Sequence, residues 1–277
     1  MEQPITLLYV PADRPDRIPK ACASGADAVI VDLEDAVAPA RKAEARSSLF
    51  LAVESRAPGQ SLQVRVNAPG TPWVDDDLEA VSALPPDVGV RIPKVEGPEV
   101  LEALRGRWGD RPLHPLVESA RGLAAVDEIC AAGPAGIGIG EADLRSELGI
   151  ADGPAIDWLR TRLVVAARAA GLPAPAMSAF TRVGDDEGLE ADCRRGRQCG
   201  QLGRSAIHPR QLAVIRRAFC PDADELEKAE DLLSGLGDAV EAGSGVVVLA
   251  DGRFADRAMV DGARRTVSLH RRLSARL

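Results

Sequence analysis

LHPLVES, residues 113–119, and GIGIGEAD, residues 136–143, decide how this chain is read. Each is a short apolar run ending in a carboxylate, Glu118 in the first and Asp143 in the second. An Arg-Gly helix start follows the first run and an acidic helix start follows the other. If the two are neighbouring parallel strands, their axes lie about 4.8 Å apart. Two carboxylates at the same level then reach one hard cation through bonds of roughly 2.1 Å. The pair marks a candidate magnesium enzyme.

Outward from this pair, strand-like and helix-like patterns alternate, which predicts a parallel sheet with crossover helices. The strand candidates are Ile5–Pro11, Ala28–Glu34, Leu62–Asn67, Val88–Lys94, Leu113–Glu118, Ala135–Gly140, Ala174–Phe180 and Arg204–His208. Helical stretches lie between them, among them Ala40–Val53, Pro98–Arg107 and Ile156–Ala170. Eight βα units predict an α/β fold, a (β/α)8 TIM barrel over residues 1–220, and 277 residues suit one barrel with an appendage. No GxGxxG follows the first strand, which argues against an open dinucleotide-binding sheet.

Residues 221–277 have another texture. Asp222–Ala242 reads as an acidic amphipathic helix, Gly245–Arg253 as a hairpin around Asp251-Gly252, and Ala255–Leu273 as a basic helix. A helix-hairpin-helix extension of this size holds too little core to stand alone. It is expected to pack on the barrel or on a neighbouring subunit, at a subunit boundary or over the pocket mouth.

The net charge of −8 excludes a general nucleic-acid or membrane-surface binder, so local Arg and metal charge would have to hold an anionic substrate. Aromatic residues are scarce, which predicts an aliphatic core. Cys22, Cys130, Cys193, Cys199 and Cys220 are scattered without a CxxC pair, as expected of thiols in a reducing compartment. No stretch reads as a signal peptide or membrane span, and a cytoplasmic location is expected.

Catalytic groups of such barrels gather where strands end. Those ends carry Asp13-Arg14, Asp32 with Glu34 and Asp35, Arg65 with Asn67, Lys94 with Glu96, Glu118 with Arg121, Asp143 and His208. Ile30, Asp32 and Glu34 share one strand face, as do Arg65 and Asn67. Charges inside a barrel need a partner or a metal, and structural ion pairs such as Arg65 with Asp32 are the plainer alternative. His208, at the HP start of a helix, is expected to make a structural hydrogen bond, and His114 to be structural as well. The glycines of residues 136–140 are expected to admit close packing beside the metal.

At these residues the chain resembles a known group. YVPADRPDRIPKACASGADAVIVDLEDAVAPARKAEAR (9–46), VRVNAPGTPW (64–73), IPKVEG (92–97), PLVESARGL (115–123), IGEADLRSELG (139–149) and AIHPRQ (206–211) look like citrate lyase β-subunit-like proteins. That superfamily also contains malyl-CoA lyases and, more remotely, HpcH/HpaI aldolases. The resemblance implies a Mg2+-dependent TIM barrel that makes or breaks C–C bonds beside a 2-oxo acid or acyl thioester. It implies Glu118 and Asp143 as magnesium ligands, Arg65 as binder of the substrate carboxylate or oxo group, and Arg14, Glu34, Asp35 and Lys94 in or around the pocket. Arg65, Glu34 and Asp35 are thus the catalytic candidates, and Arg14, Arg65, Lys94 and Glu118 the substrate-binding ones.

Two departures stand out. Gly140-Glu141-Ala142-Asp143 replaces the family's usual Gly-Ala-Glu-Asp, and Arg182 replaces an acidic residue. The implied activity is cleavage or formation of a 3-hydroxy-acyl-CoA such as malyl-CoA or citramalyl-CoA, with thioester hydrolysis nearby. The base is open between a water held by the metal, Asp35 and a group from a neighbouring subunit. An aldolase on a free hydroxy-oxo acid and a carrier-dependent citrate lyase β-type subunit are the alternatives. The implied partners are acyl-CoA and 2-oxo acids in a homotrimer or hexamer, with no nucleic acid and no membrane.

Overall fold

The computed structural model describes residues 3–151, 153–241, 247–248, 254–255 and 257–276. Its contacts divide the chain into two units, Met1–Ile215 and Arg216–Leu277.

The first unit is a mixed α/β fold on a curled, seven-stranded, all-parallel sheet. The strands are β1 Thr6–Pro11, β2 Ala28–Asp32, β3 Ser61–Arg65, β4 Gly89–Ile92, β5 Leu113–Val117, β6 Gly138–Ile139 and β7 Arg204–Ala206. Their order is β6-β5-β4-β3-β2-β1-β7. Every residue of β2 is buried, as a strand covered on both faces requires. Helices follow the strands. In Pro154–Ala169, Pro154 sits in the first turn, where a missing N–H costs nothing, and Ile156, Leu159, Leu163 and Ala166 form the buried stripe.

The expected strand at Ala174–Phe180 is not a ladder strand. It makes two single parallel bridges, Ala176 to Gly138 on β6 and Met177 to Arg204 on β7. Pro173 and Pro175 remove backbone donors from this stretch, which limits its pairing. The expected strand Ala135–Gly140 shortens to Gly138–Ile139 for a related reason, since glycines at 136, 138 and 140 weaken it.

Register fixes what faces the interior. Asp32 pairs Arg65, Arg65 pairs Arg91, and Leu116 pairs Gly138. Side chains at these levels point the same way as those two residues along each strand.

In the second unit, helices Ala223–Glu241 and Arg257–Ser274 pack through Ala229, Leu232, Ala263 and Val267. Strands β8 Val247–Val248 and β9 Phe254–Ala255 pair antiparallel. The expected turn at Asp251-Gly252 lies outside the described residues. Among the described residues, no helix is long and apolar enough to cross a membrane.

Candidate active site

Glu118 follows directly on β5 and is only 7% exposed. Two features of the main chain hold it. The backbone N–H of Lys94 donates to Glu118 Oε2 at 3.1 Å. To aim that amide, Lys94 takes φ +52°, the one positive φ outside glycine among the described residues. Such a backbone costs of order 1–3 kcal/mol and persists only where its surroundings impose it. On the other side, a Cβ at Gly140 would lie 2.6 Å from Glu118 Cγ and 2.8 Å from its Oε1. Glycine is required there by the carboxylate, not by a turn.

Asp143 lies in the first turn of helix Glu141–Leu148, exposed, and lines with Glu118 a cavity of about 830 Å³. Burial pushes Glu118 up to about 7, and the neighbouring Asp143 charge adds to it, against the pull of Arg65 and Lys94. An acid whose charge is disfavoured by a second acid in the same cavity is what a divalent cation reconciles. Among the described residues, no three His, Cys, Asp or Glu gather as a metal cluster. Two protein ligands leave about four of the six magnesium positions for water and a chelating substrate, so the donor set fits magnesium rather than a closed structural site.

Beside the pair, Arg65 stands at the end of β3. Its Nε and Nη2 donate to Asp32 Oδ1 and Oδ2 at 2.7 and 2.6 Å, a bidentate fork. Nη1 lies 2.8 Å from Glu34 Oε2 and 3.4 Å from Asp35 Oδ2, and the guanidinium sits 5.0 Å from the Tyr9 ring centre. Neither Glu34 oxygen has a hydrogen bond, because the approach of Arg65 is off the bonding direction. Burial pushes Glu34 up to about 8 despite Arg65. The Arg65–Asp32 pair expected as the plainer alternative is therefore present, and Nη1 is the part of Arg65 left with weaker partners.

The cavity lining brings together Asp35, Arg65, Glu118 and Asp143, with Asp32 behind Arg65. Arg14, Glu34 and Lys94 are not among the lining residues. Arg14 turns to Asp16 at 3.1 Å, and Arg17 lines the cavity instead. The Lys94 side chain is exposed, and its contribution at the site is its backbone amide. His208 Nδ1 accepts the Arg210 N–H at 3.1 Å, the structural bond expected of it. Burial and the Arg91 charge hold His114 down at about 3, so it stays neutral.

Arg160, Asp192 and Arg204 line the cavity without a sequence signal of their own. Glu141 is buried and bidentate to Arg160, at 2.8 and 2.9 Å. Arg160 also reaches Asp192 at 3.0 Å, and Asp192 reaches Arg204 at 2.7 Å. Burial works against the Asp192 charge, yet Arg204 and Arg160 hold its carboxyl below the usual range. The displaced acid at 141 is thus the end of an ion-pair chain across three helices and β7. Arg182 pairs Asp185 at 2.9 Å and covers the Phe180 ring at 4.7 Å. A charge inside an apolar strand, as at Arg91 in GVRIPK, is the signal that would have drawn attention to the cavity's deeper wall.

The profile of the HpcH/HpaI aldolase/citrate lyase family matches residues 6–209. A (3S)-malyl-CoA thioesterase of Cereibacter sphaeroides is 36% identical over 269 residues, covering 95% of this chain and 93% of its own. An L-malyl-CoA/beta-methylmalyl-CoA lyase of the same organism is 30% identical over 295 residues, covering 92% and 91%. Among solved structures, CitE of Mycobacterium tuberculosis in complex with magnesium, acetoacetate and coenzyme A superposes with a TM-score of 0.81 at 31% identity, over 96% of this chain and 97% of that one. The chain belongs to the HpcH/HpaI aldolase/citrate lyase family and is a magnesium-dependent carbon–carbon lyase of that family.

Proposed function

We propose that this chain cleaves or forms the C–C bond of a 3-hydroxy-acyl-CoA of the malyl-CoA or citramalyl-CoA kind. The observation that carries the reading is Glu118 beside Asp143 in one cavity, with the Asp143 charge adding to the rise of Glu118. Glu118 and Asp143 would hold magnesium, which supplies the positive charge that polarises a hydroxyl or carbonyl oxygen and a carboxylate. The scaffold is read as a (β/α)8 barrel with Ala174–Phe180 as its eighth stave and a helix-hairpin-helix extension.

In the cleavage direction, Arg65 Nη1 turns to the substrate carboxylate while its other edge stays on Asp32. Glu34, neutral below about pH 8, does not cancel that cation at neutral pH. Asp35 is exposed to the cavity and accepts the hydroxyl proton. As the O–H electrons form the new C=O, the C–C pair moves into the thioester as an enolate, which then takes a proton. A 2-oxo acid and a shortened acyl-CoA leave. Arg14 and Lys94, outside the lining, would meet the CoA moiety or the rim.

Thioester hydrolysis is the second reading, favoured by the 36% identity to a (3S)-malyl-CoA thioesterase. Purified chain, magnesium and a panel of acyl-CoAs with 2-oxo acids separate the two. A 2-oxo acid with a shorter acyl-CoA marks the lyase, and free CoA with the hydroxy diacid marks the esterase. Turnover without CoA would point instead to an aldolase on a free hydroxy-oxo acid. Turnover only after an acyl carrier partner is added would point to a citrate lyase β-type subunit.

The same kinship supports a cytoplasmic homotrimer or hexamer, with residues 221–277 packing on the barrel or at a subunit boundary. Five thiols without a disulfide agree with a reducing compartment. Truncation after Phe219 should change the light-scattering mass and weaken turnover. An unchanged mass with unchanged kinetics would remove this part of the reading.

A further inference from the structure

Arg91 is a buried cation in the wall of the cavity, and its surroundings offer it no anion. Its Nε and Nη2 both donate to Gln63 Oε1, at 3.1 and 3.0 Å. Gln63 is neutral. The Tyr9 ring lies 6.0 Å from the guanidinium, and His114, its register partner on β5, is held neutral. Among the described residues, no carboxylate comes within ion-pair distance of it, and Nη1 has no hydrogen-bond partner. Arg91 is 7% exposed and lines the cavity. A charge so buried is ordinarily paired, because its desolvation costs several kcal/mol.

The free Nη1 points to β6. It lies 3.5 Å from where a Cβ at Gly138 would stand, and Gly138 also lines the cavity. Gly140, which makes room for Glu118 Oε1, shares that strand face two residues further along, roughly 7 Å away. The free donor and the metal-ligating carboxylate are therefore one step apart along the same wall.

We infer that Arg91 is the centre of an anion subsite one layer below the magnesium site, where its free Nη1 takes one carboxylate. Its occupant is the second carboxylate of a substrate whose 2-oxo-acid half is a diacid, or a free small anion. The diacid assignment rests on the lyase reading above but takes a citryl-type acyl-CoA in place of the malyl or citramalyl kind, whose 2-oxo acids carry no second carboxylate. The subsite itself does not rest on that reading.

The test uses the full-length, magnesium-loaded chain and two 2-oxo acids, oxaloacetate and 2-oxobutyrate, which differ by a terminal carboxylate in place of a methyl. Calorimetric titration should show oxaloacetate bound roughly tenfold or more tightly, the scale of one charge-assisted hydrogen bond. Arg91→Met should abolish the preference and leave 2-oxobutyrate binding and magnesium binding unchanged. A second arm compares melting temperature, without metal, in chloride and in gluconate at equal ionic strength. Arg91-dependent stabilisation by chloride, without a diacid preference, assigns the subsite to a free anion. Arg91→Gln replaces the Met variant if the latter does not fold. Absence of any Arg91-dependent effect in both arms overturns the inference. Loss of CoA-dependent turnover with an intact subsite would sink the lyase reading alone.

Discussion

Glu141 and Asp143 stand two residues apart in one turn of helix Glu141–Leu148, yet their carboxylates live in opposite conditions. Glu141 is buried and bidentate to Arg160, the first link of a chain that runs through Asp192 to Arg204. Asp143 is exposed to the cavity with no cation of the protein beside it among the described residues, and it raises the pKa of Glu118. One charge is completed within the fold. The other waits for something from outside it. An acid that the protein has already neutralised organises structure, and one left facing another acid is available to bind.

Four substitutions and a change of pH break or sharpen this contrast. Arg160→Met removes the cation between Glu141 and Asp192 and leaves the buried Glu141 carboxylate unpaired, while Asp192 keeps Arg204. We expect a loss of about 3–5 kcal/mol in stability by urea unfolding. Magnesium affinity of the folded fraction should be unchanged, and a parallel loss of affinity would mean the two networks are one.

Glu118→Gln and Asp143→Asn act on the other side of the contrast. Each should reduce turnover by roughly 10²–10³-fold and abolish magnesium binding, with no loss of thermal stability. Wild-type activity that persists in excess chelator would contradict the metal assignment.

Arg65→Lys keeps the charge but replaces the fork, which is bidentate to Asp32 with Nη1 near Glu34 and Asp35. A drop of roughly 10²-fold in kcat/KM, about 2.7 kcal/mol, is expected. If the effect is under about threefold while stability falls, Arg65 belongs with Arg160 as a structural cation.

The smallest effect is a dependence on pH. In the metal-free chain Glu118 titrates near 7 and Glu34 near 8, both above the ordinary 4.5. Raised carboxyl pKa values mean that stability is full below about 4.5 and declines as pH rises through 7 to 8. Magnesium must displace the proton on Glu118, so its apparent affinity should fall about tenfold per pH unit below 7 and level off above. Metal titrations from acid to alkaline pH, with melting temperatures alongside, check both slopes. An affinity independent of pH would show that Glu118 is ionised before the metal arrives.

The sequence displayed some of this and hid the rest for physical reasons. Glu118 and Asp143 were legible because each ends an apolar run, and strand ends gather in one place. Arg160, Asp192 and Arg204 were not, since they belong to two helices and a strand whose meeting depends on packing. The stave at Ala174–Phe180 was read as a strand from its small apolar residues, while Pro173 and Pro175 restricted its pairing to single bridges. Lys94 gave no hint of a left-handed backbone, because lysine carries none of the turn chemistry of Gly or Asn. Its identity suggested a cation for substrate, and its main chain turned out to matter instead.

The amide that steadies Glu118 belongs to the backbone, so it does not depend on which side chain stands at position 94. Replacing that lysine by another residue that tolerates φ +52° would leave the Glu118 carboxylate where it is. The side chain at position 94 can therefore be exchanged while the inner carboxylate keeps its place. A scaffold arranged in this way separates the side chain, which is free to change, from the main chain, which must stay.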